Sequence, residues 1–84
     1  MKKRKLLEKA LSSPANLRFS EALALAEAFG FQLVRTSGSH HILTHADIPE
    51  LVNLQDVQGK AKAYQVRQLL SLVELYNLKL EEPE

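Results

Sequence analysis

The hydrophobic period of this chain changes at Gly30, and that switch does most to limit what it can fold into. Before it, Ala22, Leu25, Ala26 and Phe29 recur on one stripe at helical spacing. Ser20 is the expected N-cap, with Glu21 in the first turn where negative charge suits the helix dipole. Gly30 suits the residue just past the helix end. After it, residues 31–35 read as a short strand, and Thr36-Ser37-Gly38-Ser39 is turn chemistry. His40, Ile42 and Thr44 then alternate with His41, Leu43 and His45, the two-residue period of a second strand.

Elements on either side complete the plan. Leu6, Leu7, Ala10 and Leu11 give a first helix over residues 2–11, which Ser12-Ser13-Pro14 stops. Residues 47–50 read as a second loop, 51–55 as a short third strand, and 56–60 as the way out of it. Val66, Leu69, Leu70, Val73 and Tyr76 form one stripe of a last helix over residues 63–76. Leu78 and Leu80 are expected to fray, and an acidic tail over residues 79–84 to be mobile. The order α-α-β-β-β-α with tight strand connections predicts a small α+β fold. Its sheet is a three-stranded antiparallel meander with the helices on one face and the other face open. The expected organisation is a single domain over residues 1–84, with residues 1–18 as an extra helix and linker.

Size and composition narrow the function classes. Eighty-four residues, 45% hydrophobic and 25% charged, suit one small globular domain with a modest core. Without cysteine there is neither a disulfide framework nor a thiolate metal site, so a cytoplasmic setting is expected. The basic run Lys2 to Lys5 is followed by Glu8, Lys9 and Ser12 rather than an apolar stretch, which argues against a signal peptide or a membrane segment. A net charge of +1 conceals an uneven distribution. Between residues 57 and 73 the only formal charges are Lys60, Lys62 and Arg67, a bias that suits a polyanion but also an ordinary solvated surface.

Chemistry is concentrated in Gly38-Ser39-His40-His41. Histidine accepts and donates protons near neutrality, and glycine lets backbone approach an anion closely. On a strand His40 and His41 point to opposite faces, and His41 and His45 lie about 13 Å apart at ~3.3 Å per residue, so no mononuclear metal site is expected. Ser39 beside His40 lacks the facing geometry of a nucleophile and its base. Cleavage of RNA by its own 2′-hydroxyl asks for less: an imidazole near the reacting oxygens and cations on the phosphate. His41 with Lys60, Lys62 and Arg67 could form such a set, with Gly38 and Ser39 as donors to phosphate. A polar strand edge remains the plain alternative. Tyr64 is open to either packing or stacking, and Ile42 and Leu43 leave open which sheet face carries His41.

Gly30-Phe31, Val34-Arg35 and Gly38-Ser39-His40-His41-Ile42 together resemble the core of HicA-type (YcfA-like) toxins, small mRNA interferases of type II bacterial toxin–antitoxin modules that act in stress responses. The resemblance runs from about residue 20 to 78. It implies a fold similar to double-stranded-RNA-binding domains and a metal-independent endoribonuclease, a hydrolase needing no cofactor, with His41 as acid–base residue. Arg35, Gly38, Ser39, His40, Lys60, Lys62 and Arg67 are then the candidate RNA and phosphate contacts. The implied partners are mRNA and a HicB-type antitoxin. Many relatives carry a Pro-x-His segment on the third strand where this chain has Val52-Asn53-Leu54-Gln55. A non-catalytic RNA-binding module or a protein-interaction domain on the same fold are the alternatives.

Overall fold

A computed structural model describes residues 2–81 of the chain. Helix α1 (Lys3–Ser12) leads through a single 3-10 turn (Pro14–Asn16) into α2 (Phe19–Ala28). Strands β1 (Gln32–Ser37), β2 (His40–His45), β3 (Ile48–Val57) and β4 (Lys60–Ala61) follow, and α3 (Ala63–Leu75) closes the order. All four strands pair with their chain neighbours in one antiparallel sheet. The α+β, double-stranded-RNA-binding-like layout expected from the periodicity is thus present, with one short strand added.

Leu43, Val52 and Leu54 are buried on one sheet face, against Leu25 and Ala26 of α2, Phe29 at its C-cap, and Val66, Leu69 and Leu72 of α3. The opposite face leaves Leu51 58% exposed, and every residue of the edge strand β1 is exposed. Helix α1 joins the same core through Leu6 and Ala10. It is tied to α2 by Lys9, whose ammonium lies 2.8 Å from Glu21 Oε1.

Several boundaries differ from expectation, each for a local reason. Helix α2 starts at Phe19, not after Ser20, because Glu21 reaches back to accept the Arg18 backbone N–H at 3.0 Å and caps the end from inside the first turn. Residues 48–50 were expected in a loop but begin β3; the β2–β3 register shifts there, and Pro49, which cannot donate to a ladder, fits at that irregularity. Residues 56–60 form a hairpin rather than an exit. Gln58 and Gly59 both take positive φ (53° and 85°), the pattern of a two-residue type I′ turn, and Asp56 Oδ1 accepts the Gly59 N–H at 2.8 Å. Helix α3 stops at Leu75, with Asn77 in a left-handed conformation (φ 53°). There Leu78 N–H donates to Val73 O and Asn77 N–H to Glu74 O, the Schellman arrangement. The chain beyond does not fray: Leu78 and Leu80 pack on the core, Glu81 N–H donates to Ala28 O, and Lys3 Nζ donates to Glu81 O. The expected acidic tail otherwise falls at residues 82–84, outside the described residues.

One buried polar side chain joins helix to sheet. Gln65 is 2% exposed, and its Oε1 accepts the Gln55 N–H at 2.7 Å. Strand β4 ends too early to serve that donor, so an amide side chain of α3 takes the next ladder position.

Candidate functional site

Both tight hairpins point to one end of the sheet. In the β1–β2 turn Gly38 has φ 58° while Ser39 stays negative, as in a type II′ turn. A Cβ added at Gly38 would meet nothing within 4 Å, so the backbone conformation calls for glycine and the space above it is open. Ser39 O accepts the Asp56 N–H at 3.0 Å, which fastens this turn to β3 beside the β3–β4 hairpin.

His41 sits just inside that turn. It pairs with Leu54 and lies in step with buried Leu43, so its ring is on the helix-covered face at the rim, half-buried. Its Nδ1 lies 3.0 Å from Ser39 O. A carbonyl can only accept, so Nδ1 carries the proton and Nε2 keeps the lone pair. The same carbonyl thereby serves two donors, a backbone N–H and the imidazole, and fixes the ring against the sheet. Among the described residues Nε2 has no hydrogen-bond partner. The other wall is Phe19, whose ring centroid is 4.5 Å from that of His41 at an interplanar angle of 50°.

Cations collect through the backbone on this side. Phe19 N–H donates to Gly59 O at 2.9 Å, Arg18 bridges Lys60, and Ala61 N–H donates to Leu17 O. The segment 17–19 therefore runs alongside β4, with exposed Arg18 and Lys60 next to the residues that wall in His41. Lys62 follows at the start of α3, its Nζ 5.9 Å from the centre of the Tyr64 ring.

The remaining candidates lie apart. His40 is on the open face, where its Nδ1 lies 3.2 Å from Asn53 Nδ2 and 3.4 Å from Asn53 Oδ1. Arg35 is opposite Ile42 on that same face, beyond a bulge at Val34. Arg67 lines a groove of about 470 Å3 between α1 and α3, beside Leu7, Leu11 and Pro14. Gly38, Ser39, His41, Lys60 and Lys62 thus belong to one end of the molecule, whereas His40, Arg35 and Arg67 face elsewhere. Among the described residues no three His, Asp or Glu side chains form a set that could hold a metal ion. No helix among them is long and apolar enough to cross a membrane.

Arg18 and the wall role of Phe19 were not evident from the sequence. Arg18 falls in the connection between two helices, and Phe19 reads as ordinary core. The available signal was Glu21: placed as the third residue of a helix, it puts Arg18 at the N-cap and turns Phe19 toward the sheet end. Glu21 itself is held below the usual carboxylate range, first by its hydrogen bond from Lys9 and then by the Arg18 N–H.

Fold and site together define a small α+β domain of the double-stranded-RNA-binding type with a histidine at one rim. A family model described as the HicA toxin of bacterial toxin–antitoxin systems matches residues 19–75, about two thirds of the chain. The chain belongs to the HicA toxin family and is the toxin of a toxin–antitoxin module, with an antitoxin as its partner. No curated protein matches it.

Proposed function

We propose that this toxin is a metal-independent endoribonuclease acting on mRNA, with His41 as its acid–base residue. The observation that carries the reading is the state of the His41 ring: Nδ1–H is committed to Ser39 O, and Nε2 has no hydrogen-bond partner among the described residues in a half-buried ring at the rim. Nε2 takes the proton of a ribose 2′-hydroxyl. The oxygen attacks the adjacent phosphorus, and the bond from phosphorus to the 5′-oxygen breaks. That leaving oxygen takes a proton from water, the His41 imidazolium returns its own to solvent, and the products are a 2′,3′-cyclic phosphate and a 5′-hydroxyl end. Lys60, Lys62 and Arg18 attract the phosphodiester, and the open space over Gly38 gives its oxygens room beside Ser39. The partner that restrains the toxin is, on this reading, a HicB-type antitoxin that covers the same rim.

Growth after induced expression, together with cleavage of mRNA by the purified protein, tests the proposal. Arrest and cleavage are expected, both lost in His41→Ala with the fold retained by circular dichroism, and EDTA should not protect the RNA. Salt-dependent RNA binding without cleavage in the unmutated protein would favour the binding module instead.

A further inference from the structure

Tyr64 has no part in the core or in the steps just described, yet the fold holds it in place. It lies in the first turn of α3 and is 56% exposed. Its hydroxyl accepts a hydrogen bond from Gln65 Nε2 at 3.3 Å. Gln65 is itself buried and anchored to the Gln55 N–H, so the ring is steadied by a chain of bonds that ends in the sheet. An ammonium, Lys62 Nζ, stands 5.9 Å from its centre. With the ammonium over one face of the ring, the residue presents two groups together, the other face for a nucleobase and the cation for the phosphate of the same nucleotide.

Position adds to this. Gln55, which anchors Gln65, pairs across the ladder with His40, the residue before His41. Lys62 follows β4, two strands from β2, a lateral offset on the order of 10 Å at ~4.8 Å per strand. A chain crossing His41 at one phosphodiester would reach Tyr64 with a neighbouring nucleotide. From these observations we infer that Tyr64 and Lys62 form a base-stacking subsite for single-stranded RNA, which places the scissile phosphate at His41. The inference rests on the RNA reading above. Every base has a π face, so the subsite selects unpaired strands and not a particular sequence.

Binding measured with the full chain carrying His41→Ala, so that RNA stays intact, separates the possibilities. The probe is a short single-stranded RNA and the same RNA in fully paired form. Adding Tyr64→Ala is expected to weaken single-strand affinity roughly 5- to 100-fold. Tyr64→Phe should keep affinity within about twofold. Lys62→Ala should lower the salt slope by about 0.7, which Tyr64→Ala leaves unchanged. The chain has two tyrosines and no tryptophan, so tyrosine emission should be quenched by the RNA, and Tyr64→Phe should remove that quenching while binding persists. If the His41→Ala protein binds no RNA at any salt concentration, the RNA reading falls and the subsite with it. If it binds but Tyr64→Ala matches it in affinity, or the paired RNA loses equally, the subsite alone is overturned.

Discussion

His41 and His45 stand on the same strand and the same sheet face, each against a phenylalanine, and the protein prepares them for opposite ends. His41 meets Phe19 and gives Nδ1–H to Ser39 O, and among the described residues its Nε2 has no hydrogen-bond partner. His45 meets Phe31 edge-on at 5.2 Å between centroids, and its Nδ1 accepts the Asp47 N–H at 3.0 Å. The proton of a neutral His45 is therefore on Nε2, the nitrogen that crowds Gly30 near Glu81. The tautomer is set by whichever backbone group meets Nδ1, a carbonyl at one end and an amide at the other. Residue type and face are the same, so on the proposed function what separates the acid–base imidazole from the structural one is the partner of a single nitrogen.

The largest expected contrast is in rate. His41→Ala should reduce RNA cleavage at least 10²- to 10⁴-fold, the usual worth of a general acid–base. His45→Ala should leave the rate within a few-fold while lowering the melting temperature. Equal losses of rate at the two positions would end the distinction.

Gly30→Ala comes next and strikes the structural end. The residue has φ 95°, and an added Cβ would lie 2.6 Å from Glu81 Oε2 and 2.9 Å from His45 Nε2. Loss of about 1–3 kcal/mol is expected in denaturant unfolding, with cleavage by the folded fraction unchanged. Gly38→Ala meets no such contact and should cost less.

Phe19→Leu sharpens the comparison from the other side. It keeps apolar volume but removes the ring against His41, and kcat should fall by roughly 2- to 12-fold, the worth of about 0.5–1.5 kcal/mol for such a ring pair. KM should be nearly unchanged, because the wall orients the imidazole and does not hold RNA.

The smallest effect is electrostatic. The carboxyl of Glu21 is held below its ordinary range, so its contribution to stability is present above about pH 4.3 and is lost as pH falls through the lowered folded-state value. Glu21→Gln should cost about 0.2–1 kcal/mol near neutrality, and the difference from the unmutated chain should vanish in acid.

The periodicity switch at Gly30 located α2, β1 and β2, because burial on one face leaves a regular imprint on sequence. Strand β4 escaped it: a two-residue strand has no period, and Gln58-Gly59 is a weaker turn signal than Asn-Gly. The Gly38–His41 segment stands out as the candidate site from residue types alone. The face of His41 was not, because Ile42 and Leu43 are both apolar and only the packing of Leu43 decides between them. Arg18 was hidden for another reason. Its nearness to the site comes from pairing with Lys60, 42 positions away in sequence, and local pattern holds no trace of that.

The clasp between Lys3 and Glu81 bears on how much of the chain has to travel together. Both residues lie outside the stretch that matches the family, and so do buried Leu6, Ala10 and Leu17 and the packed Leu78 and Leu80. A fragment trimmed to the shared stretch would bare the outer side of α2 to water and tend to aggregate. The limits of kinship are therefore narrower than the limits of autonomous folding, and anyone shortening this toxin for study should cut by burial and not by homology.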